Sequence, residues 1–160
     1  MEKNIRIAQM QVSKEKNDTL VASGVGSGIG LAVYDPVSKV GGILHFILPD
    51  STLEKGAAEK QPLMFADTGI PELLEAFSAL GGQKDRIKVL AIGGSEIMNQ
   101  SEPHSIGKKN RTALAKCLVA VDIDLDIEDM GGNVNRSLKL EIDTGDVFVK
   151  TSRNPQEVKI

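Results

Sequence analysis

The stretch Leu20-Val21-Ala22-Ser23-Gly24-Val25-Gly26-Ser27-Gly28-Ile29-Gly30-Leu31-Ala32-Val33-Tyr34 sets the architecture of this chain. Two apolar, β-capable runs, Leu20 to Val25 and Ile29 to Tyr34, flank the glycine-rich bend Gly26-Ser27-Gly28. Asp35-Pro36-Val37-Ser38-Lys39 then reads as a turn, because proline presets φ and aspartate caps the turn's start. Val40 to Leu48 returns as a near-continuous apolar strand. Such runs belong in a sheet covered on both faces. The glycines do not form a dinucleotide fingerprint: the residue three after Gly26 is Ile29, the residues beyond it read as strand, and no P-loop Lys-Ser/Thr is present. The plain reading is a tight strand–strand bend where backbone meets backbone. The sharper one is a loop that positions a reactive side chain or its oxyanion donors.

Toward the N-terminus, Ile5, Ile7, Met10 and Val12 alternate imperfectly and predict a first strand over Asn4 to Val12. Asp50 to Gln61 is polar and reads as a mobile surface loop. Phe65, Ile70, Leu73, Leu74, Phe77 and Leu80 keep helical spacing, Gly81-Gly82 stops the helix, and Pro71 must begin or kink it. Ile87 to Ile92 is a short strand ending in Gly93-Gly94, and Leu114, Leu118 and Val121 stripe a second helix from about Lys109. Ile123, Leu125 and Ile127 alternate with acids as a half-exposed strand. Leu138, Leu140 and Ile142, the Thr144-Gly145 turn, then Val147 and Val149 form a hairpin. The expected architecture is one α/β (α+β) domain over residues 1–152, with mixed β-sheets and two main helices, followed by a polar tail over 153–160.

Composition bounds the function. The 160 residues fit one core, built from aliphatic side chains since there are four Phe, one Tyr and no Trp. A net charge of −3 argues against nucleic acid, and Lys108-Lys109-Asn110-Arg111 is too short a basic run to change that; it reads as a solvated helix start. The uncharged run Leu20 to Tyr34 falls short of the ~20 apolar residues of a membrane span, and no apolar signal core follows Met1. A single cysteine permits no internal disulfide and suits a cytoplasmic setting. Cys117 lies near a helix stripe and reads as core, and His104 as a loop residue. Two histidines and one cysteine so far apart form no metal site, and Asp122, Asp124, Asp126, Glu128 and Asp129 read as the solvent face of a strand. No cofactor is expected.

The ordered set Gly26-Ser27-Gly28-Ile29-Gly30, Tyr34-Asp35-Pro36, Lys39-Val40-Gly41-Gly42, His45 and Leu48-Pro49-Asp50-Ser51 resembles the CheD family of chemoreceptor glutamine deamidases. So do Phe65-Ala66-Asp67-Thr68, Gly93-Gly94, Ile106-Gly107, Asp129-Met130-Gly131-Gly132, Arg136 and Thr144-Gly145. The resemblance implies a three-layer sandwich, hydrolysis of receptor glutamine to glutamate, and partners in the chemoreceptor cytoplasmic domain and a CheC-type phosphatase. In that family a cysteine of a Gly-Ser-Cys motif attacks the carboxamide, a histidine serves as base and then acid, and a threonine completes the site.

Carried onto this chain, the histidine is His45, whereas the cysteine position is Gly28 and the threonine position is Ala22. Asn135 also replaces the glycine preferred before Arg136, and Lys109 the arginine before Asn110. The resemblance therefore implies a catalytically inactive member that binds a receptor or a CheC-type phosphatase. The alternative is an active hydrolase using Ser27, or a water activated by His45, although alternation turns Ser27 away from His45. A third reading is a small ligand held in the space vacated by the two lost side chains.

Overall fold

The computed structural model of the chain describes residues 1–54, 56–96 and 105–160. His104 lies outside them. Among the described residues, ten strands form two sheets. The first sheet has the order β1 (Glu2–Ile5), β3 (Thr19–Val25), β8 (Arg136–Glu141), β9 (Val147–Thr151), β10 (Val158–Lys159). The second has the order β2 (Gln9–Ser13), β5 (Val40–Phe46), β4 (Ile29–Asp35), β6 (Lys88–Gly93), β7 (Ile127–Met130). Pairing is antiparallel except for β1 with β3 and β6 with β7. Besides the short α1 (Ala57–Lys60), two longer helices, α2 (Ala66–Ala79) and α3 (Ile106–Ala120), cover the outer face of the second sheet.

Two apolar cores follow from this layering. Leu20, Ala22, Ile43, Ile92, Leu138 and Leu140 fill the space between the sheets. Leu31, Leu44, Phe46, Leu73, Phe77 and Leu114 fill the space between the second sheet and the helices. Every residue of β4 and β5 is buried, as a run apolar on both faces requires. The glycines of β5 let the layers close: a Cβ at Gly41 would stand 2.7 Å from Ile142 Cδ1, and one at Gly42 3.0 Å from Val12 Cγ2.

Three local features differ from the sequence expectation, and a fourth decides between two alternatives. The stretch over Asn4 to Val12 is two strands in two sheets, because Ala8 turns the chain with φ at 59°. Pro71 sits inside α2, on its solvent side, so of the two places the sequence left open it does not take the helix start. The loop over 50–61 contains a 3-10 turn at Ser51–Leu53 as well as α1. Only Ile127–Met130 forms a strand among the 123–130 residues; before it, the Asp126 N–H donates to Val89 O at 2.9 Å and its Oδ2 accepts the Val89 N–H at 2.8 Å. The Gly81-Gly82 stop is as expected: Gly82 N–H donates to Phe77 O and Gly81 N–H to Ser78 O.

Asp35 shows how strongly the β4–β5 turn is held. Its carboxylate is wholly buried and accepts the N–H groups of Val37, Ser38 and Gln83, with three further contacts from Arg86. The Arg86 guanidinium holds its pKa well below the usual carboxylate range. Asp35→Ala strands these donors and should cost about 3 kcal/mol in denaturant unfolding, whereas Val37→Ala at the exposed tip of the same turn should change stability by less than about 0.5 kcal/mol.

Candidate functional site

The bend Gly26-Ser27-Gly28 joins β3 to β4 and is fastened by its carbonyls. Gly28 O accepts from Gly94 N–H at 2.8 Å and Gly26 O from Ser95 N–H at 3.1 Å. Ser27 O accepts from Asn110 Nδ2 at 2.9 Å, and the same nitrogen donates to Ile47 O at 3.0 Å. Asn110 thus ties the bend to the segment just after His45, from a fully buried position on α3. It is therefore a buried bridge and not part of a solvated helix start. The signal for this is its spacing, since Asn110, Leu114 and Leu118 form one i, i+4, i+8 stripe with a polar group at its head.

Arg136 plays a similar part from β8. Its Nη1 donates to Ser95 Oγ at 2.8 Å and Gly131 O at 2.9 Å, and its Nη2 meets Asp129 Oδ1 at 3.3 Å. It is 6% exposed and knits the 93–95 and 129–132 turns to the start of β8, the central strand of the first sheet.

Gly28 has no left-handed φ, so the backbone does not require glycine there. Close approach does. A Cβ at residue 28 would lie 2.7 Å from the carbonyl O of Phe46, 3.1 Å from Ile47 Cγ2 and 3.4 Å from His45 Nε2. Position 28 therefore faces His45, and the second strand's backbone has closed over it.

His45 sits on β5 between Gly30 of β4 and Gln9 of β2. It is 2% exposed, and its Nδ1 is buried without a hydrogen-bond partner. Burial pulls its pKa down to about 4, so the imidazole is neutral at pH 7. The unfolded chain protonates this histidine near pH 6.5 and the folded one only near 4, so between them the unfolded state binds more protons. Its contribution is complete above pH 6.5 and is lost as pH falls toward 4, up to about 3 kcal/mol. Denaturant melts across this window should show the slope, and His45→Gln should flatten it.

The other candidates do not gather around His45 in the same way. Ala22 is fully buried on β3 and belongs to the core between the sheets, the layer that Ile43 of β5 also enters, two residues from His45. Ser27 is half-buried, and among the described residues no hydrogen bond joins its hydroxyl to His45. Cys117 is half-buried on α3, in the helical layer on the far side of the second sheet, and burial pushes its thiol pKa up. Among the described residues no three His, Cys, Asp or Glu side chains form a metal-holding group, and no helix is long and apolar enough to cross a membrane.

Similarity to known proteins extends over nearly the whole chain. Residues 47–151 match the family described as CheD chemotactic sensory transduction, a span that begins just after His45. Relatives also cover the glycine-rich bend. A probable chemoreceptor glutamine deamidase of Syntrophus aciditrophicus is 44% identical over 151 residues, covering 94% of each chain. One from Solibacter usitatus is 36% identical, over 96% of this chain and 91% of its own. One from Symbiobacterium thermophilum is 37% identical, over 92% of this chain and 90% of its own. With the two-sheet, helix-covered architecture and similarity along nearly its whole length, the chain belongs to the CheD family of chemotaxis proteins.

Proposed function

We propose that this chain is a CheD-family protein without deamidase chemistry, acting in the cytoplasm by binding a chemoreceptor's cytoplasmic domain or a CheC-type phosphatase. The observation that carries the reading is position 28: the residue facing His45 Nε2 has no side chain, and a Cβ there would lie only 2.7 Å from the Phe46 carbonyl oxygen. Amide hydrolysis by the family's route needs a side-chain atom at position 28 to attack the carboxamide carbon, and glycine has none. His45 is neutral and able to accept a proton, but its neighbour has none to give. The unpartnered Nδ1 supports the same reading, because a hydroxyl in the layer that Ala22 occupies is the kind of group that would orient the ring.

Neither substitute nucleophile is favoured. Ser27 lacks the hydrogen bond to a base that activates a hydroxyl, and Cys117 lies in a different layer with its thiol pKa raised. Its single unpaired cysteine suits a reducing compartment.

Calorimetry with a chemoreceptor cytoplasmic fragment and with a CheC-type phosphatase tests the binding role. The native protein and Ser27→Ala should bind one of them with the same affinity, within about twofold, and leave receptor amides intact. Failure to bind either, or an amide hydrolysis that disappears in Ser27→Ala, overturns the proposal.

A further inference from the structure

The tail that follows β9 folds back as an edge strand of the first sheet. β10 lies antiparallel to β9, with Val158 opposite Val149 and Lys159 opposite Phe148. The Ile160 N–H donates to Val147 O at 3.0 Å, which makes 160 and 147 a hydrogen-bonded pair. Antiparallel alternation then makes 159 and 148 a non-hydrogen-bonded pair. The N–H and C=O of Lys159, and of Glu157 before it, therefore point off the edge of the sheet. Such an edge is a template for another strand.

Side chains at this edge divide by face. Glu157 and Lys159 stand two residues apart and share the outer face of the sheet with Lys139 and Phe148. Glu157 meets Lys139 Nζ at 2.6 Å, and Lys159 meets Asp146 Oδ1 at 3.1 Å. Val158 and Ile160 turn to the opposite face, the core face of Leu138 and Val149. Both are nevertheless exposed, Val158 by 48%.

We propose that β10 pairs with β10 of a second copy of this chain, antiparallel, about a two-fold axis through Val158. That register sets Glu157 opposite Lys159 of the second copy, and Lys159 opposite its Glu157. The outward N–H and C=O groups of these residues then form four hydrogen bonds. Val158 meets Val158 of the second copy as the central non-hydrogen-bonded pair, where side chains come closest. On the outer face the charges run Lys139, Glu157, then Lys159 and Asp146 of the second copy, alternating in sign. The other edges lack this self-complementarity. β2 has no charged side chain, β7 places Glu128 beside Asp129, and on β1 the acid Glu2 shares its face with Asn4. Four hydrogen bonds and two ion pairs make a small isologous interface, so the dimer is weak and concentration-dependent. It uses neither the bend at Gly28 nor His45, and so stands independently of the lost chemistry.

Sedimentation equilibrium of the native chain, from about 0.01 to about 1 mM, should show a reversible dimer. Glu157→Lys and Lys159→Glu, each alone, set like charges across the axis and should weaken it by about tenfold or more. An equimolar mixture of these two variants restores opposite charges across the axis, and should dimerise about fivefold or more tightly than either alone. Lys16→Glu, the same charge change at an exposed position outside β10, should leave the dimer unchanged. Lys159→Pro removes an N–H that β9 does not use, so it should abolish the dimer with little change in Tm.

A native chain that stays monomeric at about 1 mM overturns the proposal. So does a dimer indifferent to Lys159→Pro, which would join the two copies through another surface. A mixture of Glu157→Lys with Lys159→Glu that associates no more tightly than either variant alone overturns it as well.

Discussion

Gly28→Cys with Ala22→Thr should convert receptor glutamine to glutamate at a rate on the order of 10³-fold or more above the native chain. A side chain at residue 28 starts 3.4 Å from His45 Nε2 at its Cβ, so a sulfur there comes within reach of the ring. The thiol gives its proton to His45, and the sulfur attacks the carboxamide carbon. The nitrogen leaves as ammonia with that proton, and water then cleaves the thioester to release glutamate and restore the thiol. Threonine at 22 adds a hydroxyl to the layer where His45 Nδ1 lies buried without a partner.

The gain comes with a stability loss. The new Cβ meets the Phe46 carbonyl at 2.7 Å, and backbone must give by a few tenths of an ångström, at about 1–3 kcal/mol. Gly28→Ala with Ala22→Thr carries the same crowding and no nucleophile, so it should lose the same stability and remain inert. A Gly28→Ala protein as stable as the native one would show that the bend is not closed as described.

Gly93→Ala should be the most damaging single substitution near the site. Residue 93 has φ at +106°, and its Cβ would lie 2.2 Å from Gly28 O and 2.7 Å from Val25 Cγ1. The Gly28 carbonyl cannot retreat without breaking its bond to Gly94 N–H. Strain and overlap together should cost more than about 4 kcal/mol, which lowers Tm by roughly 10 °C or more for a chain of this size. Gly24→Ala is the control: its φ is +67°, but nothing lies within 4 Å, so only about 1–2 kcal/mol of backbone strain is added. Equal melting temperatures for the two variants would contradict the packing of β6 against the bend.

Much of the architecture is legible in the chain because burial on two faces leaves a periodicity of its own. The runs over β4 and β5 lack alternation, and that alone predicts a sheet between two layers. The α2 stripe and its glycine stop are equally plain. The split at Ala8 is not, because Ile5, Ile7, Met10 and Val12 imitate one strand and alanine has no turn preference to betray a positive φ. Ile123 and Ile127 share a parity, yet the first is 7% and the second 43% exposed, since Ile123 packs into the core beside the helices before the strand begins and Ile127 lies on the edge strand β7.

Within the candidate site, residue types can be read from the chain but closure cannot. His45 is conspicuous as a histidine inside an apolar strand. That the Phe46 carbonyl covers residue 28, or that Asn110 bridges two segments far apart in the chain, depends on contacts with no local signature.

Absence of deamidase chemistry in the native chain is tested most sharply by mass spectrometry of a chemoreceptor cytoplasmic fragment incubated with it. No amide-to-acid conversion above the protein-free control is expected at any glutamine of the fragment. Conversion above that control, removed by Ser27→Ala or His45→Gln, would contradict the inactive reading and place a working nucleophile at the bend.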